Sequence, residues 1–384
     1  MFRKIFSLLS LSLLTLVPSF SQRPAFLAFQ HDPWVNRQLQ HMTIDEKIGQ
    51  LIMIAVSPQQ GEDARQSAKK LIQNYGLGGI LVMQGTPVKT AAWINDLQEA
   101  APIPLLVAMD AEWGAGFRMD SILSFPSHQS VGAIQDDALA YEMGRAVARQ
   151  LKMAGINLNF APVADINTNP LNPVINIRSF GENRENVTRK ATAYAQGMQE
   201  EGVAAVAKHF PGHGDTHADS HKTLPVLEHN RARIDSVEFY PFRRLAQSGI
   251  AGIMTAHLHI PAYDTENRPA SLSEKLIKTQ LREKLKFEGL VVTDAMNMKG
   301  VTLPAGKAEV QALIAGNDLL EFVTNVPLAI KAIRTAIDEK KLTLDEIDQK
   351  CRKILALKRW LKLNDYHPVT LENLTNRMND PQTE

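Results

Sequence analysis

The chain has 384 residues, 44% of them apolar, enough for one large core or two smaller ones. Its 42 basic and 41 acidic residues leave a formal charge of +1, which gives no electrostatic reason to expect nucleic acid or an anionic membrane as partner. The single cysteine, Cys351, excludes an internal disulfide and a cysteine-based zinc site, and it reads as a small buried apolar side chain on the last helix.

In chain order, residues 1–21 read as a secretory signal peptide. Arg3 and Lys4 form a basic start, Ile5 to Val17 an apolar run, and Ser19-Phe20-Ser21 small residues before a cut at Gln22. The run is short for a bilayer span and no cysteine follows it, so the expectation is export to a periplasm or the cell exterior with no lasting membrane insertion. Thr43-x-x-Glu46 is a capping box that starts a short helix. Apolar runs at 50–56, 78–83, 104–110, 157–165, 203–209, 252–257, 289–294 and 317–323 then predict strands. Helical patterns lie between them near 62–74, 88–100, 136–154, 186–200, 233–248, 274–285, 305–315 and 326–338, with a last helix over 343–362. Eight two-sided apolar strands alternating with helices predict an α/β chain with parallel pairing, and the count of eight predicts a single (β/α)8 TIM-type barrel over 22–363. The Gly-rich turn at Gly76-Leu77-Gly78-Gly79 precedes a strand, so it is no dinucleotide loop. Residues 364–384 are polar and turn-rich and read as a strap across the barrel or a linker.

In such a barrel, chemistry gathers at the C-terminal ends of the strands. Asp110, Asp165, Lys208 with His209, His257 and Asp294 each end a strand. A single aspartate there is ordinarily a helix cap or turn former. Five coinciding strand ends are more than capping requires.

The stretch Lys208 to His221 adds a second pattern. His209, His213, His217 and His221 recur every four residues, which on a helix would be a metal-binding face. Pro211, Gly212 and Gly214 interrupt that helix. His257-Leu258-His259 also resembles the paired ligands of zinc-dependent barrel hydrolases, at a different strand. Carboxylate chemistry is the other reading: Asp294 as a nucleophile in retaining glycoside hydrolysis, and Asp219-Ser220-His221 as a histidine acid/base oriented by a carboxylate. Lys208, Arg118 and Arg178 supply donors for hydroxyl and acyl oxygens. Spacing alone does not separate a sugar from another polyhydroxylated or phosphorylated ligand.

Lys208-His209-Phe210-Pro211-Gly212-His213-Gly214 followed by Asp219-Ser220-His221 resembles the signature of the β-N-acetylglucosaminidases of glycoside hydrolase family 3. Phe160 to Asp165, Asn172 to Gly181, Met254 to His257, Val291 to Met296 and Met42 to Leu51 resemble further family segments in the family's order, so the resemblance covers roughly residues 32–362. It implies a family 3 barrel and a two-step retaining mechanism without metal or organic cofactor. Asp294 matches the nucleophile, His221 the acid/base and Asp219 its partner; Asp110, Arg118, Arg178, Lys208 and His209 match substrate-binding positions. His213 and His217 are expected to serve loop structure, Asp165 to organise the loop, and His257 to lie near the pocket. The implied ligand is a small N-acetylglucosaminide from peptidoglycan or chitin, acted on by a monomer. Trp113, Phe117 and Asn176 depart from the family pattern; a bulky ring at 113 or 117 would reshape the mouth or carry an aglycone sugar. Three alternatives use the same residues or their neighbours: a phosphorylase, a non-catalytic muropeptide-binding barrel, and a metal-dependent hydrolase.

Overall fold

The computed structural model describes residues 22–220 and 222–380; residues 1–21, expected to be a signal peptide, His221, and residues 381–384 lie outside the described residues. Seven parallel strands follow one another in chain order: β1 (Met53–Val56), β2 (Gly79–Val82), β3 (Leu106–Met109), β4 (Leu158–Asn159), β5 (Ala204–Phe210), β6 (Gly252–Thr255) and β7 (Leu290–Thr293). Every strand residue except Ala55 is buried, which is why the runs read as apolar on both faces.

The expected eighth strand, 317–323, is reduced to two bridges. Leu319 pairs with Val292 and Leu320 with Ile52, joining the last strand to the first. Two local features keep it short. The Asp318 carboxylate takes the Val291 N–H at 2.9 Å, a donor the ladder would use, and Phe322 adopts φ +55°, which turns the chain out of extension. β4 is also shorter than the run 157–165, since Pro162 has no N–H to donate; pairing resumes at Val163 opposite Lys208.

Helices fill the intervals close to their expected limits, from Glu62–Tyr75 to Leu344–Trp360. The exception is 233–248, which divides into Arg231–Ser236 and Phe239–Gln247. The ring of Pro241 would meet the carbonyl of residue 237 in a continuous helix, so the chain restarts with proline in the first turn. The Thr43–Glu46 capping box forms as read, with the Thr43 N–H on Glu46 Oε2 at 2.7 Å. The Gly76–Gly79 turn is imposed by space. Gly76 sits at φ +57°, and a Cβ on Gly78 would lie 1.9 Å from the Gln50 carbonyl oxygen.

The described part of the C-terminal segment is a strap. Asn95 binds both the N–H and the carbonyl of Val369 at 2.9 Å, and Leu374 and Met378 are buried against the helices Pro87–Ala100 and Ala138–Met153. Among the described residues no helix is long and apolar enough to cross a membrane. Cys351 is buried and its thiol is pushed up to about 12 by burial, so it is inert packing.

The last helix carries a buried cation. Lys358 donates to Gln50 Oε1 at 2.6 Å, and Gln50 in turn donates to the Gly76 carbonyl at 2.7 Å, tying the helix to the turn before β2. No carboxylate among the described residues shares this site, so burial lowers the Lys358 ammonium to about 7. The unfolded chain keeps lysine protonated to about pH 10.4. Between these values only the unfolded state binds the proton, so stability rises with pH across that window. Lys358→Met is therefore expected to be the more stable protein at pH 6, with its advantage shrinking toward pH 10. Urea unfolding of both proteins across this range measures the difference.

Candidate active site

A cavity of about 500 Å³ opens at the C-terminal ends of the strands. Asp110, Arg118, Arg178, Lys208, His209 and Asp294 all line it, so six of the eight expected site residues converge. Asp110 follows β3, Lys208 and His209 end β5, and Asp294 follows β7. Consecutive strand residues normally face opposite sides. Here the register of β5 against β6 slips between Ala207 and Phe210, and both Lys208 and His209 reach the cavity.

One charge web forms the wall. Lys208 Nζ lies 2.7 Å from Asp110 Oδ1 and 3.0 Å from Glu112 Oε1. Arg118 donates to Asp110 Oδ2 at 2.9 Å. Arg178 grips Glu112 with Nε and a terminal nitrogen, 2.7 Å at the shortest. Burial alone would drive these groups toward neutrality. The opposite charges outweigh it, holding Asp110 and Glu112 below the usual carboxylate range and raising Lys208 and Arg178. Arg118 Nε is buried with no partner among the described residues, a donor available to a ligand.

Asp165 lies under the wall as a loop organiser. Its carboxylate accepts from His209 Nδ1 at 2.7 Å and from the His213 N–H at 2.7 Å. His213 is buried between Thr216 Oγ1 at 2.7 Å and Ser220 Oγ at 3.1 Å, and burial lowers its imidazole to about 4. His217 is exposed and meets the Asn169 side chain at 3.1 Å. The spacing of His209, His213 and His217 thus marks no helical face, because residues 211–220 are turn and loop. The acid–imidazole cluster Asp215, His229 and Glu238 already contains a cation: Arg233 is 3.1 Å from Glu238 and 3.6 Å from Asp215.

Asp294 is half-buried. One oxygen accepts the Ala295 N–H at 2.8 Å. Burial pushes its carboxyl up, but His209, His257, the Ala295 N–H and Lys208 together hold it below the ordinary value, so it is ionised at neutral pH. His257 is buried beneath it, bonded to Ser271 Oγ at 2.7 Å and to the Ala295 carbonyl at 3.0 Å. Asp219 belongs to the loop beside the cavity, which Ser220 lines; its carbonyl accepts the Lys222 N–H at 2.9 Å. The Gly300 N–H donates to the Ser220 carbonyl at 3.1 Å, tying this loop to the segment that follows Asp294. A Cβ on Gly300 would fall 2.8 Å from His257 Cβ and 3.1 Å from that carbonyl.

Two site residues escaped the sequence reading. Glu112 is 1% exposed and holds both Arg178 and Lys208. Its position two residues after Asp110, on the same face of an extended chain, was the available signal. Glu321 lines the cavity directly after the bridging pair Leu319 and Leu320; the rule that polar strand ends build the site applies equally to the eighth position. Of the departures from the family pattern, Phe117 lines the cavity beneath the Arg118 guanidinium at 5.0 Å, and Trp113 packs edge-on behind it at 4.6 Å. Asn176 takes φ +40°, a conformation asparagine tolerates better than most residues and glycine adopts freely.

Residues 43–357 fit the family described as the glycosyl hydrolase family 3 N terminal domain. The chain is 32% identical over 369 residues to β-hexosaminidase A of Pseudoalteromonas piscicida, covering 83% of this chain and 61% of that protein. It superposes on a family 3 β-N-acetylglucosaminidase from Paenibacillus sp. str. FPU-7 with a TM-score of 0.81 and 36% identity, over 88% of this chain and 68% of that one. It also superposes on the β-glucoside phosphorylase BglX bound to 2FGlc, with a TM-score of 0.85 and 29% identity over 91% and 65% of the two chains. The chain spans about three fifths of the length of the first curated relatives it matches, 61% and 60%.

Removing Glu112 would leave Arg178 and Lys208 buried with fewer partners. Glu112→Gln is expected to lower stability at pH 7 by about 3–5 kcal/mol, the range for breaking a buried pair. Glu112 has a folded pKa below its unfolded one, so its contribution is complete above about pH 4.3 and is lost as pH falls below it. Urea unfolding at pH 7 and pH 3 should therefore show the variant's deficit shrinking in acid.

Proposed function

Because the chain belongs to glycosyl hydrolase family 3, we propose that it is a retaining β-N-acetylhexosaminidase, exported by residues 1–21, that removes terminal β-linked N-acetylglucosamine from peptidoglycan- or chitin-type fragments. The observation that carries this reading is Asp294: an ionised carboxylate, one oxygen pinned by the Ala295 N–H, in a cavity also lined by Lys208, Arg118 and Arg178.

In the first step the other Asp294 oxygen attacks the anomeric carbon. The bond to the leaving oxygen breaks, and His221 gives that oxygen a proton. In the second step His221 takes a proton from water, whose oxygen displaces Asp294 and releases the sugar with its configuration retained. Asp219 orients the imidazole and favours its protonated form. Lys208, Arg118, Arg178, His209 and Asp110 hold the sugar; their mutual pairing fixes their positions before it arrives, so little ordering remains to be done on binding. The bond from Gly300 to Ser220 supports this arrangement, since it keeps the loop bearing Asp219 against the segment that carries the nucleophile.

The similarity to a β-glucoside phosphorylase favours a second reading in which phosphate replaces water in the second step. Product analysis with and without inorganic phosphate separates the two: a glycosyl phosphate marks the phosphorylase, free sugar in both cases the hydrolase.

Activity on an aryl N-acetyl-β-glucosaminide tests the assignment. Asp294→Asn is expected to lose at least about 10³-fold in kcat/KM. His221→Ala should lose about 10²–10⁴-fold on a disaccharide and far less on the aryl substrate, whose leaving group needs little protonation. Full activity of Asp294→Asn would remove the basis of the proposal.

Gly300 offers a test remote from the reacting atoms. Gly300→Ala forces the Ser220 carbonyl or His257 to move. The expected result is about a tenfold or greater fall in kcat with circular dichroism unchanged, since small displacements of positioned groups are costly in rate.

A further inference from the structure

Four carboxyl groups line the cavity, and the charge web and the nucleophile account for three. Asp110 and Glu112 hold Lys208, Arg118 and Arg178, and Asp294 keeps one oxygen on a backbone N–H. Glu321 is different. Its backbone is clamped at the rim: its N–H donates to Thr293 Oγ1 at 3.0 Å and its carbonyl accepts the Met296 N–H at 3.0 Å. Its side chain is 3% exposed and faces the cavity, yet its carboxyl makes no hydrogen bond or ion pair with any described residue. The next residue, Phe322, also lines the cavity and holds φ +55°, an uncommon conformation for a bulky side chain.

Both features work against folding. At 3% exposure the carboxyl loses most of its hydration without gaining a protein partner, and a left-handed bulky residue adds a local cost. Leucine would fill the position without the first penalty. A carboxyl kept there finds a partner only in what enters the cavity, water or ligand.

The charges decide what that partner is. Around the cavity three cations, Arg118, Arg178 and Lys208, already face three carboxylates, Asp110, Glu112 and Asp294, while His209 is paired with Asp165. A fourth negative charge would be uncompensated. Burial raises the proton affinity of Glu321 well above that of an ordinary glutamate; Asp110 and Asp294 raise it further, and Lys208 and Arg118 do not cancel them. Glu321 is therefore a neutral acid, with one O–H to donate. The ionised carboxylates around it can only accept.

We propose that Glu321 is a further ligand-contacting residue of this pocket, whose carboxylic acid donates a hydrogen bond to an oxygen of the bound sugar. The identity of the ligand rests on the hydrolase reading; the presence of an unsatisfied donor does not. Such a donor selects an uncharged sugar. A cationic amino sugar would call instead for the ionised carboxylate.

Calorimetric binding of N-acetylglucosamine, which needs no turnover, tests this with two variants. Glu321→Gln keeps the shape and an N–H donor and is expected to bind within about threefold of the wild type. Glu321→Leu loses the donor and should bind about tenfold more weakly, the loss of a hydrogen bond worth about 1.4 kcal/mol. Its thermal unfolding midpoint should equal or exceed that of the wild type, which separates lost contact from lost fold. Binding by Glu321→Leu as tight as wild type would overturn the inference. So would a wild-type preference for glucosamine over N-acetylglucosamine that Glu321→Gln abolishes. A wild type that binds the sugar through Glu321 but cleaves no aryl glycoside would sink the hydrolase reading and leave this one standing.

Discussion

The site depends on one buried ionic web, Asp110 and Glu112 against Lys208, Arg118 and Arg178. Isolated, each of these charges would be expelled from the strand ends or neutralised there. Together they remain ionised although Lys208 and Glu112 are almost wholly buried. The web joins the segment after β3 to β5 and to the loop around Arg178, 98 residues from Asp110 to Lys208 and 66 from Glu112 to Arg178. Its arms are mutually braced, so the cavity exists as a shaped, charged wall before any ligand enters. A buried network of this kind adds little net stability; its return is a fixed geometry.

Against that wall the same side-chain chemistry takes several roles. Asp294, close to imidazoles and an N–H, is a bare anion. Asp165 spends its oxygens on His209 and His213 and stiffens the loop. Glu321 faces carboxylates and has no partner, so it keeps its proton. The residue types differ by at most one methylene, and environment sets the protonation of each. The same holds for histidine. His213 and His128 are lowered by burial to about 4, and the neutral His128 ring can donate to only one of the Glu112 and Arg178 carbonyls that lie 2.8 Å from its two nitrogens.

Much of this could be read from residues alone. Strand runs buried on both faces leave a continuous apolar signature, and helices with proper caps announce their starts; Thr43 and Glu46 did both jobs within four residues. The polar residues that end those runs then pointed at the rim, and six of the expected eight line one cavity. The misreadings also have local causes. The eighth strand looked complete because its apolar content was sufficient, while Asp318 had already taken a ladder donor through its side chain. The long helix over 233–248 looked continuous until Pro241 is required to fit within a turn.

The chain's periodicity and its punctuating polar residues determined the barrel-type alternation, the family and the roster of candidate groups, because these follow from spacing along the backbone. Partnership could not follow from spacing. Glu112 became the keystone and Glu321 the unpaired acid only when the ends of β3 and β5 and the segment after Leu320 were brought around one cavity. Charge interaction depends on distance and on exclusion of water, and both are properties of the closed fold alone.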